Sequence, residues 1–209
     1  MFLSWSGGTL LTLFSPSFFI SLIAARLVNV TVDDTLGNSQ EALQILYQPA
    51  SYWSPGQNCT TCVADPDPTQ VNDGTWHDNT YLPDNPASTP LSASLAFDGT
   101  YHVPRGVKIL HMLPVLGVAL YVYCVVTRSS TNPFGNSDMT FYLDGVEVGT
   151  FSETPNGDPT YHYNFPVYVN ESIPDGKHTF VLVNGRAGGQ AALALLDYIV
   201  FTYVLPPRM

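Results

Sequence analysis

The chain has 209 residues, with 17 Asp and Glu against 7 Lys and Arg, and a formal net charge of −10 at pH 7. Seven basic residues are too few for the basic stripe that a phosphate backbone requires, so we expect no nucleic-acid partner. Because 45% of the residues are hydrophobic and only 11% are charged, the chain can bury a core and is not disordered. Tyr, Phe, Val and Thr favour strands, whereas four Glu and two Lys leave little material for helix surfaces.

An uncharged apolar run occupies residues 10–25. It is longer than a minimal signal-peptide core and shorter than the roughly 20 residues of a spanning helix. No Lys or Arg precedes the run and no small-x-small pair ends it cleanly. We therefore predict that residues 1–25 are either a cleaved signal peptide or a retained N-terminal anchor. Both alternatives send residues 26–209, predicted to form one domain, to the extracellular space or the cell surface. Membrane contact is then expected only through an uncleaved N-terminal segment.

Three Asn-X-Ser/Thr sequons agree with export. They lie at Asn29, Asn58 and Asn170, which we predict to be N-glycosylated. Asn29 is so close to the apolar run that a retained anchor would leave it unmodified.

The first strands are predicted at residues 27–32 and 43–47. Residues 48–90 are loop-like and rich in Pro, Asp and Asn, and a loop of this length is usually functional or poorly ordered. Its tryptophans indicate that at least part of it packs.

The three cysteines are Cys59, Cys62 and Cys124. In an oxidising compartment the first two most plausibly close a short disulfide within the loop, and pairing of either with Cys124 is the alternative. Cys124 lies in the apolar segment 121–126, where a buried free thiol behaves as a small hydrophobe. A redox motif would need a βαβ context and a zinc site a second ligand pair, and the sequence supplies neither.

The second half of the chain is rich in predicted strands. The apolar segment 118–126 indicates a central strand, and Asp144-Gly145 predicts the tight turn of a hairpin over residues 139–148. Alternation over residues 161–170 predicts a strand that Pro166 places at an edge or a bulge. Further strands are predicted at residues 179–183 and 192–204. Six or seven strands without a convincing helix predict an all-β fold, an antiparallel β-sandwich.

Several of these segments resemble known families. Residues 175–184 and 195–202 resemble the closing strands of galactose-binding-like jelly-roll domains. More narrowly, the chain resembles fungal, basidiomycete-type surface proteins that pair such a domain with a membrane helix. That likeness covers about residues 29–203 and is carried by Trp53 with the Cys59–Cys62 loop and by residues 74–78, 97–99, 121–124 and 141–145. It implies a jelly-roll sandwich and says little of function, because the fold hosts both glycan-binding and structural roles.

Two departures from that group stand out. The group usually continues into a spanning helix, whereas this sequence stops at Met209, so C-terminal anchoring is not expected. In the group, Gly99 leads almost directly into the strand that begins near Val118. Here residues 100–117 intervene, and we hypothesise a retained short intron, with an ordinary loop as the alternative.

The candidate ligand-binding residues are Trp53, Trp76, His77 and Asp78. Aromatic faces on jelly-roll loops stack on sugar C–H surfaces, and Asp or His bonds to hydroxyls. The alternative is that both tryptophans are packing residues. No catalytic motif is present, and the acids lie mostly in turns rather than as an evident glycosidase pair, so we predict no enzyme activity.

Galactose-binding-like domains often carry calcium, so the resemblance makes the acids candidate ligands. Asp65, Asp67 and Asp73 offer oxygens in the loop, and Asp33, Asp34 and Asp197 offer them near strand ends. Prolines interrupt the loop and no bidentate Glu follows, so no clear calcium motif exists and no cofactor is predicted. The leading hypothesis is a non-catalytic surface or secreted module that binds glycans. The alternatives are a structural wall protein without a ligand and, more remotely, a glycan-active enzyme.

Overall fold

The described part of the chain folds mainly into strands, as its β-branched and aromatic residues predict. The structure is a computed structural model that describes residues 26–84, 91–99 and 118–205. The N-terminal segment 1–25 and the segment 100–117 lie outside these residues, so the predictions made for them stay predictions. Within the described part, no helix is long and apolar enough to cross a membrane.

The strands are numbered in chain order. They are β1 (Arg26–Asp33), β2 (Leu46–Gln48), β3 (Ser54–Pro55), β4 (His77–Tyr81), β5 (Leu91–Asp98), β6 (Val118–Arg128), β7 (Ser137–Leu143), β8 (Val146–Glu153), β9 (Asp158–Ile173), β10 (Lys177–Asn184) and β11 (Ala192–Leu205). Three short 3-10 turns span Ala50–Tyr52, Gly56–Asn58 and Asn72–Gly74.

Two antiparallel sheets form a sandwich, which confirms the predicted fold class. The first sheet has the order β3-β4-β11-β6-β9. Strand β4 pairs with the first half of β11, and β1 pairs with the second half along the same edge. The second sheet has the order β2-β5-β10-β7-β8. Strands β4 to β11 thus form the four-strand sets β4-β11-β6-β9 and β5-β10-β7-β8, which is the double Greek key of a jelly roll.

Local sequence patterns predict several strands correctly. Strands β7 and β8 form the predicted hairpin, and both Asp144 and Gly145 have the positive φ that its tight turn requires. Pro166 lies in β9 at the sheet edge, where a register shift interrupts its pairing with β6. Both outcomes predicted for this proline, an edge and a bulge, are present.

The loop assigned to residues 48–90 is in part wrong. It contains β3 and β4, and β5 begins at Leu91 immediately after it. Strand β4 shows no alternation of apolar and polar residues, because its first three residues, His77, Asp78 and Asn79, are all polar and all buried.

The cysteines adopt the predicted arrangement. Cys59 and Cys62 form a disulfide, and Cys124 is a buried free thiol on β6. Cys124 belongs to the main core between the sheets, where it packs with Leu120, Val122 and Phe180. The disulfide lies in the loop that covers the outer face of the first sheet.

Candidate functional site

The four predicted ligand residues are brought close together in the structure but lie on two sides of β4. Successive side chains of a strand point to opposite faces. Trp76 and Asp78 therefore face outward, beneath the loop of residues 56–75, whereas His77 faces the sandwich interior. Trp53 belongs to the main core. All four residues are buried, so none is an open loop residue.

Trp53 and His77 pack around one tyrosine. The ring of Tyr47 stacks on His77, with centroids 4.0 Å apart, and lies 5.0 Å from the ring of Trp53. His77 Nδ1 is 2.6 Å from Asp34 Oδ2, and the hydroxyl of Tyr47 donates to the Asp34 carbonyl at 2.8 Å. Trp53 is therefore a packing residue, which is the alternative given in the sequence analysis. A sugar has no path to its ring, which is 4% exposed.

Three buried carboxylates, Asp33, Asp34 and Asp197, form what we call the carboxylate cluster. Asp33 accepts the backbone N–H groups of Thr35 and Leu36 at 2.9 and 2.6 Å. Asp34 accepts the Thr75 hydroxyl at 2.6 Å in addition to its contact with His77. Asp197 is completely buried and accepts only one bond, from the Asn72 backbone N–H at 2.8 Å, which leaves its Oδ2 without a partner among the described residues.

The surroundings of Asp197 in the cluster shift its pKa. Burial, together with the charges of Asp34, Asp33 and Asp73, raises the pKa of Asp197 to about 7. A carboxyl in this environment holds its proton where an exposed one has lost it.

The sequence also offers these three acids as calcium ligands. Ca²⁺ takes six to eight oxygens that converge on one point. Here Asp33 and Asp34 direct their oxygens to Thr35, Asn72, Thr75 and His77. Among the residues described, no group of three or more His, Cys, Asp or Glu side chains is arranged to hold a metal ion. The loop acid Asp67 likewise bonds locally, to the backbone and hydroxyl of Thr69.

Trp76 anchors the loop of residues 56–75 on the outer face of the first sheet. It is 2% exposed and packs with Val125, Leu193 and Leu195, which form a second core. The backbone N–H of Gly56 donates to the Trp76 carbonyl at 2.7 Å, and any Cβ at Gly56 would collide with the indole ring. Like Trp53, Trp76 therefore has no ring face open to a sugar.

Two tyrosines of β9 fasten the middle of this loop. The backbone N–H groups of Asp65 and Asp67 donate to the hydroxyls of Tyr161 and Tyr163 at 2.9 and 2.8 Å. The middle of the loop is thus packed against the outer face of the first sheet, as its tryptophans indicated.

Asp78 lies in a cavity of about 440 Å³, which we call the Asp78 pocket. One wall is the disulfide loop and the other is the turn between β6 and β7. The lining residues are Ser51, Tyr52, Ser54, Thr61, Cys62, Val63, Ala64, Asp78, Thr80, Leu82, Asn132, Pro133, Phe134, Ala191, Ala192 and Leu193. Val63, Leu82 and Phe134 are exposed, so the rim of the pocket is apolar.

The carboxyl group of Asp78 lacks the bonds that usually accompany burial. Its Oδ2 is buried and has no hydrogen-bond partner within the described part of the chain. Burial raises the pKa of Asp78 from 3.8 to about 6. A buried, unsatisfied polar atom costs about 1–3 kcal/mol, and a perturbed carboxyl in a cleft is a recognised mark of a functional site.

Of the four predicted ligand residues, Asp78 alone lines this pocket. Tyr52, Leu82 and Phe134 come from three separate segments, and only the fold places them together. Their signal in the sequence is weak, since each is an apolar residue in a Pro-rich turn region.

The sequons differ in their surroundings. Asn29 and Asn58 are exposed, on β1 and beside the disulfide. Asn170 is half-buried on β9, and its amide donates to the Tyr168 hydroxyl at 3.1 Å. Their glycosylation stays a prediction.

Solved structures with similar folds include several carbohydrate-binding modules. The CBM36-1 domain of a multidomain xylanase from the hindgut metagenome of Trinervitermes trinervoides is 14% identical, with a TM-score of 0.43, over 83% of this chain and 96% of that one. CBM35 from Paenibacillus barcinonensis is 12% identical, with a TM-score of 0.42, over 82% and 97%. A family 35 module from Clostridium thermocellum is 9% identical, with a TM-score of 0.40, over 83% and 97%. No protein-family model matches the chain, and no curated protein is similar to it in sequence.

Proposed function

We propose that the chain is an exported, non-catalytic module that binds a glycan in the Asp78 pocket. The observation that carries this proposal is the buried carboxyl of Asp78, which lines a pocket while one of its oxygens has no partner in the described structure.

The chemistry of the pocket suits a sugar. A carboxylate accepts hydrogen bonds from hydroxyl groups, and charge-assisted bonds of this kind are about twice as strong as neutral ones. The apolar rim of Val63, Leu82 and Phe134 suits the C–H surface of a pyranose ring. The volume of about 440 Å³ lies within the roughly 300–1,000 Å³ of small-ligand sites. A sugar hydroxyl in the pocket would donate to the part of the Asp78 side chain that lines it.

The lining favours binding over hydrolysis. Glycoside hydrolysis generally uses two carboxyl groups held about 5–10 Å apart across the scissile bond. Asp78 is the only acid among the described residues that line the pocket. A second carboxyl is therefore not offered by this part of the chain.

Export and surface location belong to the same proposal. The apolar run at residues 10–25, the three sequons and the Cys59–Cys62 disulfide each suit an oxidising, extracellular environment. A glycan of the cell surface or extracellular matrix is then the available partner.

Replacing Asp78 with alanine is expected to weaken glycan binding at least about tenfold, because the charge-assisted bonds to the hydroxyls are lost. The measurement is a screen of wild-type protein on a broad glycan array, followed by calorimetric titration of the best ligand. Glu147→Ala is the matched control, since it removes one exposed acid from β8 on the other sheet. Equal binding by Asp78→Ala would contradict this site, and no binding by the wild type would favour the structural-protein alternative.

Binding is also expected to depend on pH through the same carboxyl. Because the pKa of Asp78 is raised to about 6, the group is mostly protonated at pH 5 and mostly ionised at pH 7. If the carboxylate is the acceptor, affinity rises about tenfold over this interval. Titration of the array-derived ligand at both pH values measures this ratio. Asp78→Asn cannot ionise and should show no such rise; a similar rise in that variant would assign the pH dependence to another group.

A further inference from the structure

A second concave surface lies on the outer face of the first sheet, away from the Asp78 pocket. It is a groove of about 500 Å³, which we call the tyrosine groove. The lining residues are Leu27, Asn29, Ala119, Tyr121, Tyr123, Glu171, Tyr198, Val200 and Thr202. They come from β1, β6, β9 and β11, so the floor of the groove is regular sheet.

Three tyrosine rings line this groove, and each contacts the next. The rings of Tyr123 and Tyr198 stack with centroids 4.5 Å apart, and Tyr121 follows at 6.5 Å from Tyr123. The Tyr121 hydroxyl donates to Glu171 at 2.8 Å, and the Tyr198 hydroxyl donates to Asn164 at 3.1 Å. These bonds hold the outer rings in place, so they need little ordering when something packs on them.

Asn29 is the exposed amide of this lining and belongs to a sequon. Val30 and Val32 of β1 point into the core, so Asn29 and Thr31 point outward. In the pairing of β1 with β11, Asn29 lies opposite Thr202, which also lines the groove. A sugar attached to the Asn29 amide would therefore begin its chain inside the groove.

We propose that the N-glycan of Asn29 folds back along the tyrosine groove and occupies it. The inference rests on the export part of the proposed function and not on the Asp78 pocket. The donor is a lipid-linked pyrophosphate oligosaccharide. A bond forms between the Asn29 amide nitrogen and C1 of the first N-acetylglucosamine, the bond from C1 to the pyrophosphate oxygen breaks, and the amide loses a proton.

The glycan can occupy the groove even if its affinity for the tyrosine rings is low. The apolar faces of the first sugars contact the tyrosine rings, and their hydroxyl and acetamido groups lie near Glu171 and Thr202. Because the glycan is tethered, the contact forms within one molecule at a millimolar effective concentration or above. Affinity too weak to hold a free sugar is then sufficient. The groove is thereby closed to free glycans, which leaves the Asp78 pocket as the external site.

The sequon at Asn58 offers a matched control. Asn58 is exposed in the turn beside the disulfide and does not line the groove. A glycan at Asn58 should behave as a free chain in solvent. Asn29→Gln and Asn58→Gln each remove one glycan, and only the first empties the groove.

The test uses the full chain secreted from a glycosylating host grown on ¹³C-glucose. Peptide mass spectrometry first measures occupancy at Asn29 and Asn58. NMR then compares the sugar protons of the two glycans: those at Asn29 are expected to shift upfield through the tyrosine ring currents, and Tyr121→Ser is expected to abolish most of the shift. Thermal unfolding gives a second readout, with Tm about 2–4 °C lower for Asn29→Gln and unchanged for Asn58→Gln.

Each outcome separates this inference from the proposed function. An occupied Asn29 glycan with the same shifts as the Asn58 glycan overturns the inference. Occupancy at Asn58 without occupancy at Asn29 also overturns it, while export stands. Absence of glycan at every sequon of the secreted protein overturns the inference and leaves export standing. Failure of the host to secrete the chain contradicts export, on which both proposals depend. Loss of glycan binding at the Asp78 pocket leaves this inference untouched.

Discussion

Replacing Trp76 with alanine is expected to lower the free energy of unfolding by about 3–5 kcal/mol, as for other fully buried aromatic side chains. The indole fills the second core with Val125, Leu193 and Leu195, and the loop of residues 56–75 lies over it. Its loss leaves a cavity between loop and sheet. Chemical unfolding of wild type and variant, with the Cys59–Cys62 disulfide intact, measures the difference through the midpoint and the slope.

Gly56 supplies the control for this explanation. A Cβ at Gly56 meets the Trp76 ring, so Gly56→Ala should destabilise the wild type. In the Trp76→Ala background the same substitution should cost little, because the cavity accepts the methyl group. The double-mutant cycle is therefore expected to be strongly non-additive. Additive effects would show that Gly56 and Trp76 contribute to stability independently, and would contradict the packing described here.

The sequence predicts those strands of the sandwich that depend on local patterns. The alternation in β9, the Asp144-Gly145 turn and the apolar run of β6 each depend on neighbours in the chain, and all three were found. Strand β4 was missed because its buried side chains are polar. Asn79 is satisfied by Asn184, whose amide donates to its side-chain oxygen at 2.7 Å, across 105 residues of chain. A partner so distant leaves no periodic signal.

The sequence predicts which residues of the candidate site lie near one another, but not the directions of their side chains. Trp76, His77 and Asp78 are adjacent in sequence, and treating them as loop residues placed them together at the surface. Their assignment to a strand separates Asp78 from His77 onto opposite faces. The tyrosine groove was missed for a related reason, because the nearly continuous apolar segment 118–126 predicts a central strand and gives no sign that Tyr121 and Tyr123 lie on an open face. In the structure those two rings are only half-buried.

Asp197 should make the protein lose stability as the pH rises. Its pKa is about 7 in the folded chain, against an ordinary value of 3.8. Below pH 4 the group is protonated in both states and contributes no pH dependence. Between pH 4 and 7 the unfolded chain releases the proton while the folded chain keeps it, so stability falls by about 1.4 kcal/mol per pH unit. The total loss through this group is about 4 kcal/mol and is complete above pH 7.

Asp197→Asn should remove this loss. Its side-chain oxygen can still accept the Asn72 backbone N–H, and its amide group turns donors toward a region that holds Asp33 and Asp34. The variant is expected to be more stable than the wild type at pH 8 and to lose that advantage at pH 4. Asp78, with a pKa of about 6, contributes a loss of the same sign that ends near pH 6. The slope between pH 6 and 7 contains Asp197 together with His178. Against the opposing effect of desolvation, hydrogen bonds to Asp144 and Pro174 raise the pKa of His178. The difference between wild type and Asp197→Asn therefore isolates Asp197.

Urea unfolding from pH 4 to 9 measures these slopes, and Glu147→Gln, an exposed acid of β8, is the control that should follow the wild type. The same series with added calcium chloride or EDTA tests the carboxylate cluster as a cation site. Because Asp33 and Asp34 already direct their oxygens to protein donors, calcium is expected to leave the unfolding midpoint unchanged. A calcium-dependent gain at pH 8 that disappears in Asp197→Asn would contradict this. It would mean that an ion, rather than a retained proton, neutralises the buried carboxyl.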